Sequence, residues 1–242
     1  MRRREAGVTL MELLVAFSLL SLLSVGMLFA LRIGLNSMQK TTNHLMRNRR
    51  VMGAERVLEQ QLGNFLPAKA DCRPIGQGPM TTVVFFQGEE QTMRFVSSYS
   101  LQEANRGYPR ILEYQVIPGE SGIGVRLVVN ELLYTGQVST GQLCVNAVPD
   151  PQGLPTGQYR PVEVTPNSFV LADKLAYCRI FYKEEPQPPV PERWLTRWVR
   201  ARPPAAIRID MAPLDPDGSV LHMGSLTAKI RVNRDLFTRY TD

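Results

Sequence analysis

Residues 7–31 read GVTLMELLVAFSLLSLLSVGMLFAL, and the fold turns on how this stretch is taken. From Leu13 to Leu31 there is no charged side chain, yet Glu12 stands directly at the head of the run. As a helix rising 1.5 Å per residue, the uncharged part alone reaches about 28 Å, close to the thickness of a bilayer's hydrocarbon core. Val8 to Glu12 extend it, and Arg32 closes it. Arg2, Arg3 and Arg4 lie just ahead, so the positive-inside rule predicts a cytoplasmic N-terminus and a remainder on the far side of the membrane. Arg32, Lys40, Arg47, Arg49 and Arg50 compete with that rule but are more spread out. A cleaved secretory signal needs a shorter apolar stretch followed by a small-residue site. Here the run is too long and the small residues, Ala6 and Gly7, precede it. A carboxylate at mid-bilayer costs about 2.5–3.5 kcal/mol, and less near the interface. Glu12 therefore calls for an explanation.

The run Gly7-Val8-Thr9-Leu10-Met11-Glu12 behind a basic leader supplies one. It resembles the type IV prepilin signal, usually written G-F-T-L-x-E, with Val8 in place of the phenylalanine. The resemblance implies that a prepilin peptidase cuts between Gly7 and Val8 and methylates the new amino terminus on Val8. Glu12 is then the fifth mature residue. In a filament its carboxylate would pair with the terminal amine of a neighbouring subunit, since an unpaired charge in a low-dielectric helix bundle is costly. Glu12 is on this reading an assembly contact, without a catalytic role.

Beyond the apolar run the helical spacing continues. Val51, Ala54, Leu58, Leu62 and Phe65 step by three and four and form one apolar stripe, with Arg49, Arg50, Arg56, Glu59 and Gln60 as the polar complement. Pro67 is expected to stop the pattern. Residues 8–66 thus predict one helix of roughly 90 Å, with Gly26, Gly34, Gly53 and Gly63 as points where it can bend. After Pro67 the character changes. Residues 68–79 read as a loop, and strands are expected at 81–86, 92–98, 110–117, 124–134, 168–173, 174–183, 205–212 and 226–236. Residues 146–161, rich in turn formers, read as an exposed loop, and 184–193 as extended polyproline-like chain. There is no βαβ alternation and no internal repeat. The fold class is therefore α+β: a long N-terminal transmembrane helix packed on a mainly antiparallel β-sheet head. The expected divisions are a leader (1–7), a membrane or filament-core helix (8–32), its amphipathic continuation (33–66) and a periplasmic β-rich head (67–242).

The order VLADKLAYCRIFYK, then a loop containing RWLTRW, then PPAAIRIDMAPL, together with the helical RNRRVMGAERVLEQQL, is similar to the J-type minor pseudopilins of type II secretion (the GspJ family). That resemblance implies a subunit at or near the tip of a short periplasmic filament. Its partners would be the I-type and K-type pseudopilins, the prepilin peptidase and an inner-membrane assembly platform. The alternative is a minor pilin of a type IV pilus or of a DNA-uptake system.

The 242 residues carry 28 Lys and Arg against 22 Asp and Glu, a net charge of +6. This is too mild to argue for nucleic acid, and part of it sits in the leader. Cys72, Cys144 and Cys178 show no CxxC spacing, and His44 and His222 are the only histidines, so no metal or other cofactor is expected. One disulfide is open to the three cysteines, in any of three pairings, as is a set of buried thiols. Asp215-Pro216-Asp217-Gly218 suggests calcium at first sight, but an EF-hand loop counted from Asp215 would need Gly and Glu where Val220 and Leu226 stand. It reads as a β-turn. Trp194 and Trp198, flanked by Arg193, Arg197 and Arg200, read as packing or a protein interface sooner than as a single-strand nucleic-acid platform. No nucleophile has an evident base, and GESGIG at 119–124 lacks the following helix of a phosphate loop, so no enzyme is expected.

Overall fold

A computed structural model describes residues 9–76, 78–103, 105–185, 191–215, 218 and 221–231. The chain divides into two compact units, Met1–Arg49 and Arg50–Asp242. One helix, α1 (Leu10–Gly63), supplies the described part of the first unit and opens the second. It runs through Gly26, Gly34 and Gly53 without interruption. It ends at Gly63, ahead of Pro67, because Asn64 caps it: the Asn64 backbone N–H and its side-chain amide both donate to the Gln60 carbonyl, at 3.0 and 2.7 Å. Phe65, expected on the helix, begins a strand instead.

In the second unit the strands, in chain order, are β1 (Phe65–Leu66), β2 (Lys69–Cys72), β3 (Thr81–Val84), β4 (Gln87–Gly88), β5 (Thr92–Ser100), β6 (Asn105–Pro118), β7 (Val125–Leu133), β8 (Cys144–Pro149), β9 (Pro155–Tyr159), β10 (Phe169–Lys183), β11 (Trp194–Leu195), β12 (Ala206–Pro213) and β13 (Leu226–Lys229). A short helix, α2 (Gln137–Gly141), follows β7. The main sheet has the order β1-β5-β6-β7-β10-β12-β13, with β4 added to β5 and β11 to β10, and its neighbours are all antiparallel. The expected α+β layout, a long apolar helix followed by a mainly antiparallel sheet, is what the chain adopts.

The period-two alternation of strands sorts the core into two layers. Phe95 and Leu112 face one side with Leu58 and Leu62 of α1, while Val51 and Ala54 pack on the rim of that cluster. The stripe read from the helical spacing is thus the buried face. Val96 and Ile111, one residue out of phase, face the other side and meet Ala70, Cys72, Val83, Leu143, Ala147 and Tyr159. That second layer consists of the hairpins β2–β3 and β8–β9.

Three expectations are corrected here. Residues 68–79 and 146–161 contain strands where loops were read. Their Pro, Gly and Asp residues are turn and edge residues: Gly153 sits at φ +81° in the turn, and Pro149 pairs with Pro155 where the strands meet it. Proline is admissible there because a two-stranded edge pair leaves one side of each strand without ladder bonds. The expected separate strands 168–173 and 174–183 form one strand, β10, with register shifts between Ala172 and Leu175 and Lys174 at φ +54°. Of the last expected strand, Leu226–Lys229 forms, and 232–236 lies outside the described residues. Residues 186–190 of the polyproline-like stretch lie outside them as well.

Candidate assembly site at the head of the first helix

α1 begins behind Thr9, whose hydroxyl and carbonyl oxygens accept the Glu12 backbone N–H at 3.3 and 3.0 Å. Thr9 and Glu12 therefore stand as N-cap and third helical residue, the spacing of a capping box. A carboxylate there also favours the positive end of the helix dipole. The Thr9-x-x-Glu12 capping spacing overlaps the cleavage pattern and is legible in the sequence. Gly7 and Val8 lie outside the described residues.

Leu10, Met11, Leu14, Phe17, Leu20, Leu22, Leu23, Met27, Leu28 and Phe29 are each more than half exposed, on every side of the helix. A helix apolar all round is stable only when something apolar surrounds it. The polar groups inside the run are already satisfied: Ser18, Ser21 and Ser24 donate to the carbonyls of Val15, Ser18 and Leu20 at 2.8–2.9 Å. Among the described residues no cation pairs with the Glu12 carboxylate. The described residues contain one helix, α1, long and apolar enough to cross a membrane.

The remaining residues singled out above fall elsewhere. Trp198 is buried, lies tilted at 49° against Tyr182 with 6.5 Å between ring centroids, and donates its indole N–H to the Arg202 carbonyl at 2.6 Å. Trp194 is half-buried, with the Arg208 guanidinium 4.7 Å above its ring and 4.9 Å from that of Phe181. Cys72 and Cys144 form a disulfide that joins β2 to β8, and Cys178 is a buried free thiol. Burial, with Asp210 nearby, pushes that thiol up to about 12. In the expected β-turn at 214–221, residues 216, 217, 219 and 220 lie outside the described residues. Among the described residues no three His, Cys, Asp or Glu side chains converge as metal ligands would. A cleft of about 220 Å³ lies among Gly88, Gly157, Tyr159 and Trp198. It is smaller than the roughly 300–1,000 Å³ of ordinary ligand sites.

Spacing alone did not reveal the polar core of the head. Arg94 is fully buried and is held by Glu113 at 2.7 Å, by Gln87 Oε1 at 2.6 Å and by the Arg160 carbonyl at 3.1 Å. Glu131 accepts from Gln61 Nε2, Ser100 Oγ and the backbone N–H groups of Leu101 and Gln102, and Tyr114 O–H donates to Gln61 Oε1. Gln61 thereby latches the last turns of α1 to the sheet.

The model of the prokaryotic N-terminal methylation motif matches residues 2–28, which include Gly7, Val8 and Glu12. No curated protein matches the chain. A prokaryotic N-terminal methylation motif heading a long apolar helix, with an antiparallel sheet behind it, is the layout of a pilin-like protein.

Proposed function

We propose that the chain is a J-type minor pseudopilin, a structural subunit at or near the tip of a type II secretion pseudopilus, and has no enzymatic activity. The carrying observation is the methylation motif at the head of a helix that is apolar and exposed on all sides. On this reading the prepilin peptidase cuts between Gly7 and Val8 and methylates Val8. Residues 1–7 are then leader, 8–32 the membrane and filament-core helix, 33–66 its continuation, and 67–242 the periplasmic head. The anchor sits in the inner membrane with a cytoplasmic N-terminus. The Cys72–Cys144 disulfide supports an oxidising compartment for the head. The Glu12 carboxylate pairs with the methylated amine of an adjacent subunit. Partners are the I-type and K-type pseudopilins and the assembly platform, and nucleic acid is not among them. Trp194 offers its half-exposed ring as an interface residue.

A strain lacking the gene tests the reading. Exoproteins held in the periplasm while surface pili persist are expected. Loss of pili or of DNA uptake with normal secretion would instead assign the chain to a type IV pilus or DNA-uptake system. In the full-length chain Glu12→Leu is expected to insert into the membrane normally but to lose co-purification with its partner subunits. Unchanged co-purification refutes the pairing role.

A further inference from the structure

Between Glu12 and Glu55 the chain has no carboxylate, yet it carries Arg32, Lys40, Arg47, Arg49 and Arg50. A helix face exposed to water usually interleaves both signs, because pairs three or four residues apart stabilise it. This one does not. Within the first unit, Arg32, Asn36, Lys40, Asn43 and Arg47 step by four, four, three and four, so they line one arc of the helix about 80° wide. All five are exposed, and among the described residues no carboxylate pairs with any of the three cations. About 140° around the helix lies a second stripe, Leu31, Leu35, Met38 and Leu45, each more than half exposed, and Arg49 follows on that side beyond Leu45. Between Leu31 and Arg47 the helix thus has two unlike faces, one apolar and one cationic.

We propose that the Arg32–Lys40–Arg47 arc docks a different subunit, whose own helix presents carboxylates over the same span. This rests on the pilin-like assembly reading above and specifies one contact within it. A second copy of this chain in the same register is the wrong partner, since it would bring cation to cation. An anionic membrane surface fits poorly too. Arg47 stands about 22 Å along the helix from Arg32, and screening limits headgroup attraction to about 8–10 Å. Charge complementarity therefore selects a heterologous neighbour. It also limits self-stacking, which suits a subunit present in few copies beside unlike partners.

The test places a photo-crosslinking amino acid at Asn36 or Asn43 in the cationic arc, and separately at Met38 on the apolar side, in the full-length chain in its native membrane. The cross-linked peptide is then identified by mass spectrometry. Asn36 and Asn43 should capture a different subunit bearing a methylation motif, at a segment rich in Asp or Glu. The triple variant Arg32→Glu, Lys40→Glu, Arg47→Glu should lower that yield by about tenfold while leaving Met38 capture intact. Reversing the facing carboxylates on the captured subunit should restore it. Capture of a second copy or of lipid from the arc overturns the proposal, as does an unchanged yield in the triple variant. If Met38 captures another subunit but Asn36 and Asn43 capture none, the proposal falls and the assembly reading stands. If no site captures a subunit and residues 1–7 remain on the mature chain, both fall.

Discussion

Arg94 is the side chain whose environment constrains the head most tightly. Its guanidinium is wholly buried, and its one carboxylate partner is Glu113, itself nearly buried. Removing Glu113 strands a charge in a low-dielectric site, so Glu113→Ala is expected to destabilise the protein by about 3–5 kcal/mol. An apolar pair, Arg94→Met with Glu113→Leu, should cost far less, because desolvation is avoided on both sides. Denaturant unfolding of the two variants checks this, and equal losses would contradict it. Gly88 is constrained by space. A Cβ there would lie 2.8 Å from Tyr182 Cζ and 2.9 Å from Trp198 Cβ, both side chains being buried. Gly88→Ala should cost about 1–3 kcal/mol as the rings are displaced. A variant as stable as the parent would mean the rings yield freely.

At the scale of elements, the question is what keeps the second layer on the sheet. The hairpins β2–β3 and β8–β9 are short, and β8–β9 carries Pro and Gly within its strands, so its intrinsic strand tendency is weak. The Cys72–Cys144 bond joins them across 72 residues of sequence. Asp150 adds a second tie. Burial alone would push its carboxyl upward, but the N–H groups of Leu154, Gln152 and Ala201 outweigh this and hold it below the ordinary value of 3.8. Its bonds fasten the β8–β9 turn and reach the segment after Trp198. Replacing both Cys72 and Cys144 by Ser is expected to remove about 2–5 kcal/mol. Thiol titration provides the companion check. In the native, oxidised protein no thiol should react rapidly, and Cys178 should react only on unfolding. A fast native thiol would contradict the pairing or the burial.

For the whole molecule, the neutral buried groups set the alkaline limit of stability. Burial raises Tyr114 and Tyr182 well above 10.0, with the Glu131 charge adding to Tyr114, and takes Cys178 from 9.0 to about 12. A group whose folded pKa is raised contributes fully below its unfolded value, and that contribution is lost as pH climbs toward the folded one. Stability should therefore hold up to about pH 9, then fall, first through Cys178 and beyond pH 10 through the tyrosines. The denaturation midpoint followed from pH 7 to 12 measures this. Cys178→Ala should delay the onset to about pH 10, and an unaltered onset would show that the thiol does not contribute.

Local patterns determined the parts of this protein that depend on local physics. An uncharged run of membrane length, the Gly7-to-Glu12 spacing, the Val51–Leu62 stripe and the alternating strands are one-dimensional signals, because helix and strand periodicity and the cost of burying charge act on neighbouring residues. The tertiary structure alone decided which cysteines pair, that Arg94 meets Glu113, that Gln61 reaches Glu131, and that Lys69–Cys72, Cys144–Pro149 and Pro155–Tyr159 form strands beside Pro- and Gly-bearing turns. Those outcomes depend on residues far apart in sequence being brought together, and on packing energies that override weak local preference. Trp198 shows the boundary. Its neighbours in sequence are arginines, as at an exposed interface, but its neighbours in space are Tyr182 and Gly88, and they place it in the core.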